Sequence, residues 1–138
     1  MNDVPKSTTL VLAEYETGPI TREMLAQYAE ASGDTNPLHL DPAFAQKAGF
    51  ADVIVHGMLG MALLGRLLSS RFANRALLKF DARFAAILPV NTSLRCRARL
   101  AEVADGQPDD GHLRLALEAI DPAGTVIITG SAELAAAN

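Results

Sequence analysis

A chain of 138 residues, 49% hydrophobic and 20% charged, fits one domain over residues 1–138 with a real core and leaves no room for two ordinary ones. The net charge of −4 excludes the basic field of a general nucleic-acid binder, and the single cysteine, Cys96, excludes an internal disulfide framework and suits a reducing compartment. No apolar stretch reaches the roughly 20 residues of a spanning helix, and Met1–Lys6 has no cationic segment leading into an apolar run; no membrane partner and no signal peptide are expected, and the setting expected is cytoplasmic.

Thr8 to Glu14 reads as a first strand, ended by Gly18-Pro19. Thr21 is placed as a helix N-cap before Arg22 and Glu23. Met24, Leu25, Tyr28 and Ala29 follow at helical spacing, and Gly33 is suited to end that helix. Asp34 to Pro42 is polar and proline-punctuated, followed by a short helix from about Ala43 to Ala48. Gly57 to Phe72 is the central helix. It is apolar almost all round, so the rest of the protein is expected to enclose it. Gly60, Ala62 and Gly65 are small enough to let a sheet or a ligand approach its backbone. Four strand candidates complete the chain: Leu77 to Leu88, Thr92 to Val103, His112 to Ile120 and Thr125 to Leu134. Their connections, Pro89 to Asn91, Asp105 to Gly111 and Asp121 to Gly124, are short enough for antiparallel hairpins. This order implies an α+β arrangement, an antiparallel sheet wrapped around one helix.

Asp34-Thr35-Asn36-Pro37-Leu38-His39 carries the most chemical information. On a continuous helix Asp34 and His39 would point apart. Pro37 prevents that continuation, because it disfavours helical geometry at Asn36 and supplies no donor. A turn there can bring a carboxylate and an imidazole to one point, where they can hold a water, take its proton and return one. Asn36 can pin the turn through its side chain. On spacing alone the pair reads more readily as a turn cap and a satisfied polar residue.

The wider context decides between these readings. Ser32-Gly33-Asp34-Thr35-Asn36-Pro37-Leu38-His39-Leu40-Asp41 resembles the hydratase motif of the MaoC-like, (R)-specific enoyl-CoA hydratases. Ala48-Gly49-Phe50-Ala51-Asp52-Val53-Ile54-Val55-His56-Gly57-Met58-Leu59 resembles the second signature of that family, in the expected order and separation. The similarity runs from about Ile20 to the C-terminus. It implies a hot-dog fold, a curved antiparallel sheet around a long apolar helix. It also implies that Asp34 and His39 orient and activate the water, and that Gly57 offers its backbone N–H to the thioester carbonyl. The last role is sensible on independent grounds, since Gly57 stands where a helix begins and free N–H groups and positive potential gather. Asn36, His56 and Met58 are the neighbouring candidates for substrate contact, His56 also reading as a hydrogen-bonding residue across the turn. The implied substrate is an acyl-CoA or acyl carrier protein thioester, and the implied assembly is a homodimer or dimer of dimers. Many carry a serine on the central helix. Here no hydroxyl occurs before Ser69, which leaves open whether a third polar group takes part and whether the small residues widen an acyl pocket or serve close packing. A hot-dog thioesterase and a non-catalytic acyl-thioester binding module are the rival functions.

The other polar residues give weaker signals. Three histidines and one cysteine, widely scattered, give no zinc spacing, and no GxGxxG or phosphate loop appears, so no metal and no cofactor are expected. His112 is expected to be exposed at a hairpin. Arg95, Arg97 and Arg99 alternate with Leu94, Cys96, Ala98 and Leu100, which places the arginines on one face of a strand. That face reads either as a grip on coenzyme A phosphates or as the solvated side of a half-buried sheet, and Lys79 and Arg83 carry the same ambiguity. Cys96 faces the core in this scheme.

Overall fold

A computed structural model describes residues 7–102 and 109–138. The N-terminal segment Met1–Lys6 and the connection at residues 103–108, with the expected strand end at Val103, lie outside the described residues. The elements are β1 (Ser7–Pro19), α1 (Arg22–Ser32), a 3₁₀ turn (Pro37–His39), α2 (Pro42–Lys47), α3 (Gly57–Arg71), β2 (Leu77–Phe84), β3 (Ser93–Ala101), β4 (Leu113–Ile120) and β5 (Val126–Leu134). The strands form one five-stranded sheet in the order β1-β3-β4-β5-β2, every neighbouring pair antiparallel. This is the expected α+β, hot-dog arrangement.

The core lies between α3 and the sheet. Leu59, Leu63, Leu64, Leu67 and Leu68 are buried along one face of the helix, at the spacing that keeps side chains on one side of a 3.6-residue turn. Opposite them lie Leu94, Cys96 and Ala98 of β3, Leu115 and Leu117 of β4, and Ile128 and Ala132 of β5, the inward set of an alternating sheet. Enclosure of the helix is less complete than its composition suggests. Ala62 and Arg66 are exposed and Met58 is 55% exposed, because the sheet covers one side of the helix.

Three other expectations need correction. The first strand continues past Glu14 to Pro19, where Ser93 of β3 is still its partner. The segment Leu77 to Leu88 leaves the sheet after Phe84, and Pro89–Asn91 is not a hairpin, since β2 pairs with β5 and not with β3. The chain crosses beneath the segment that precedes α3. Val55 N–H donates to the Leu88 carbonyl at 2.9 Å, and Val90 N–H to that of Val53 at 3.2 Å. Asn91 takes a left-handed φ of 64° as it turns into β3, a conformation asparagine tolerates better than most residues.

The outer face of the sheet is a ladder of charge. Arg97 bonds Glu14 at 2.9 Å and Glu118 at 3.2 Å, Arg99 meets Glu118 at 3.1 Å, and Arg95 lies 3.4 Å from Glu16. These arginines are occupied by carboxylates of β1 and β4, which favours the solvated-face reading over a phosphate grip. Lys79 is likewise within 3.7 Å of Asp81.

Gly130 of β5 is the tightest point of the sheet, since a Cβ built there would stand 2.3 Å from the Asp81 carbonyl oxygen of β2. A backbone atom cannot yield as a side-chain tip can. Gly130→Ala is therefore expected to destabilise the protein by about 1–3 kcal/mol, the usual cost of overpacking, measured as a lowered midpoint in urea unfolding.

Candidate active site

Helix α1 delivers the chain to the site. Thr21 caps it by accepting Met24 N–H at 3.3 Å, and Gly33, at φ 80°, ends it in the left-handed conformation, as the sequence predicts. A chain of short side-chain bonds then shapes the turn. Ser32 Oγ accepts Asp34 N–H at 3.1 Å, Asp34 Oδ1 accepts Asn36 N–H at 3.3 Å, and Asn36 Oδ1 accepts Leu38 N–H at 3.0 Å. Pro37 opens the 3₁₀ turn, where its fixed φ suits the first helical position. The turn does bring the predicted pair together. His39 Nε2 lies 3.9 Å from Asp34 Oδ2, with the imidazole 12% exposed and the carboxylate 49% exposed. That gap is too long for a direct hydrogen bond and suits one oxygen bridging the two.

The other side of His39 sets its chemistry. Nδ1 lies 2.8 Å from the Ile54 carbonyl oxygen. A carbonyl only accepts, so Nδ1 carries the hydrogen and Nε2 of the neutral ring is a free proton acceptor. Ile54 is a contributor that side-chain patterns do not reveal, because any residue supplies a carbonyl.

Gly57 opens α3. The helix has no side-chain cap. Leu59 and Gly60 N–H both go to the His56 carbonyl, at 3.1 and 3.2 Å, and among the described residues Gly57 N–H has no partner. Gly57 and His39 line one cavity of about 270 Å³, whose walls include Ile54, Phe84, Leu88 and Ile128. Gly60 also lines it. A Cβ there would come within 2.7 Å of Ile128 Cδ1, so its small size serves both cavity and close packing. Gly65 packs in the same way against Phe80, whereas Ala62 faces outward.

His56 is the one buried polar side chain among the described residues, at 1% exposure. Its Nε2 lies 3.1 Å from the Asp34 carbonyl oxygen, the bond across the turn that its position suggests. Its ring stacks on His39 at 3.9 Å and 22°, and Tyr28 meets it edge-on at 4.8 Å. Burial holds its pKa below the ordinary imidazole value of 6.5, so the ring is neutral at pH 7. Asn36 and Met58, the other candidates for substrate contact, lie outside the cavity lining. The Asn36 side chain is committed to the turn and Met58 points to the surface.

Asp34, His39 and His56 place possible ligand atoms within 4.8 Å of one another. Each imidazole bonds a main-chain carbonyl through one nitrogen, and the two rings are stacked at 22°. Elsewhere, His112 is not free at a hairpin tip. It is half-buried and bonds Glu133 at 2.7 Å, beside Arg114 and Asp110. Cys96 is buried and its thiol is pushed up to about 11 by burial, which makes it a core residue and not a nucleophile.

A family model described as the MaoC like domain matches residues 8–120. The (R)-specific enoyl-CoA hydratase of Aeromonas caviae is 33% identical over 108 residues, covering 78% of this chain and 80% of that protein. A mitochondrial 3-hydroxyacyl-[acyl-carrier-protein] dehydratase of Arabidopsis thaliana is 47% identical over 57 residues, and the match spans 41% of this chain but only 34% of the plant protein. Among solved structures, the unliganded R-hydratase of Pseudomonas aeruginosa superposes with a TM-score of 0.81 at 27% identity, covering 99% of this chain and 83% of that one.

The buried, neutral His56 links the site to stability. A group whose pKa is depressed by folding stabilises the native state above its unfolded pKa, and that contribution is lost as pH falls from the unfolded value through the folded one. The melting temperature is therefore expected to drop on acidification below about pH 6.5, and His56→Phe, which cannot take up a proton, is expected to show a smaller drop in parallel thermal scans.

Proposed function

The chain belongs to the MaoC-like family, and on that premise we propose that it is an (R)-specific enoyl-thioester hydratase, reversible as a 3-hydroxyacyl-thioester dehydratase. The observation that carries this reading is the free Nε2 of His39, 3.9 Å from the Asp34 carboxylate, in a ring that shares an apolar cavity with Gly57. A water bridging the pair donates one hydrogen to Asp34 and the other to His39 Nε2. As His39 takes that proton, the water oxygen bonds to C3 of the enoyl chain and the C2–C3 π electrons move toward the thioester oxygen. Gly57 N–H at the positive tip of α3 meets that developing charge, an electrostatic contribution of about 3–4 kcal/mol in sites of this kind. The proton on His39 then passes to C2, which restores the neutral ring and the thioester carbonyl. Water and proton arrive from one face, so addition is syn, and the (R) configuration of the 3-hydroxyacyl product is taken from the (R)-specific relatives. Either coenzyme A or acyl carrier protein can present the same thioester to this cavity.

A homodimer fits the surface. β2 pairs only with β5, and an unpaired strand edge invites a partner. Leu77, Leu78, Phe84 and Ile87 are large apolar residues about half exposed on or just after it. Phe84 also lines the cavity, so a second copy on this edge would cover the cavity wall.

Incubation with crotonyl-CoA is expected to remove the enoyl absorbance without releasing thiol; thiol release would indicate hydrolysis, and no change a binding module. Asp34→Asn and His39→Ala are each expected to lower kcat by about 10²–10⁴, the usual size of lost acid–base catalysis; near-native turnover by both purified variants would remove the mechanism. In sedimentation the native chain is expected as a dimer, and Leu78→Lys shifted toward monomer.

A further inference from the structure

We infer that His56 is a positioning residue for the proposed hydration, an imidazole that holds the Asp34 backbone and the His39 ring in register with the tip of α3. The inference rests on the hydratase reading and concerns a group that takes no part in the proton transfers described above.

Three contacts meet in this one side chain. Through Nε2–H it donates to the Asp34 carbonyl at 3.1 Å, tying down the residue whose carboxylate orients the water. Through its face it supports the His39 ring at 3.9 Å. Through its own backbone it precedes Gly57, and its carbonyl accepts Leu59 and Gly60 N–H. The carboxylate, the base and the free N–H are thus referenced to the same residue. Hydration tolerates little error among them, because a displacement near 1 Å in a reacting group costs about 100-fold in rate.

Bonding fixes its tautomer. A carbonyl can only accept, so Nε2 holds the hydrogen and Nδ1 of the neutral ring keeps a lone pair. That Nδ1 is buried with no hydrogen-bond partner. An unpartnered buried polar atom has a cost, and a packing residue such as leucine or phenylalanine would avoid it. What only the imidazole supplies is a flat face for His39 combined with a donor for the Asp34 carbonyl. A second charge at this point would be harmful. When His39 takes the proton from water it becomes an imidazolium, and a neutral ring at its face attracts it where a second imidazolium would repel it. The ionisable groups that face the two rings are Asp34 from the turn and Tyr28 from α1. Asp34 is half-exposed and favours the protonated form of its neighbours, so burial is what keeps His56 neutral.

Two variants separate the functions of the ring. His56→Phe keeps a neutral face and loses the donor. It is expected to lower kcat roughly 10–100-fold, the effect of a displaced group, while the kcat–pH profile keeps its position. His56→Gln keeps a donor and loses the face. It is expected to lower kcat as well and to move the acidic limb of the profile to lower pH, with KM changing less than kcat in both cases. A merely structural role would lower the melting temperature without moving that limb. Native kcat and profile in both variants would overturn the inference, as would losses confined to KM. Should neither variant fold, ring ¹⁵N spectra of the native protein decide. At pH 7 His56 is expected as the neutral Nε2–H tautomer, and an Nδ1–H tautomer or a protonated ring at that pH would overturn the inference. Failure of the native protein to hydrate crotonyl-CoA removes the functional reading instead, so the two failures are distinct.

Discussion

The hydrogen bond from His39 Nδ1–H to the Ile54 carbonyl is the contact on which the site depends. At 2.8 Å it selects one tautomer and leaves Nε2 free, and without it the ring could present its hydrogen where an acceptor is needed. Ile54 is held in turn from both sides. Its own N–H donates to the Leu38 carbonyl at 3.1 Å, so turn and segment exchange bonds in both directions. It also forms a bridge with Pro89 of the crossing chain. The His39 imidazole, on a surface turn, is thereby anchored to the middle of the fold.

The same segment leads into α3, so fixing it also fixes the helix tip. The apolar cavity then does electrostatic work. Under the proposed function, charge developing on a thioester oxygen there would meet the Gly57 N–H in largely apolar surroundings, where a single donor counts for more than in solvent. The sheet contributes mainly as a wall. Its charged ladder of Arg95, Arg97 and Arg99 lies on the opposite face and is taken up by Glu14, Glu16 and Glu118. Exposed pairs of that kind add little stability singly, but they keep that face of the sheet wet and leave the other to the core.

Much of this was legible in the residues, because local chemistry decides it. Thr21 and Gly33 bound α1 through cap bonds and backbone conformation, Pro37 forces the turn, and the leucine spacing marks α3. What was not legible depends on partners distant in sequence. The connection between β2 and β3 has hairpin length, yet packing under residues 53–55 sends it across the sheet. Helical spacing cannot say which side of a nearly all-apolar helix the sheet will cover, so Met58 and Ala62 read as enclosed. His112 read as exposed because its partner Glu133 is 21 residues away. Ile54 was hidden for a different reason: its contribution comes from a main-chain oxygen, which bears no mark of residue type.

The strand order also governs how the molecule assembles. β1 is synthesised before β3 but pairs with it, and the bond between Glu14 and Arg97 spans 83 residues. Helices α1 to α3 and the β4–β5 turn can form from nearby contacts, whereas β1 must wait for most of the chain. Closing so long a loop carries an entropic cost before any pairing offsets it, which makes docking of the first strand a late and slow event. Until then Leu10 and Leu12, already half-exposed in the finished protein, remain on an unpaired strand, and the nascent chain is most open to aggregation in that interval.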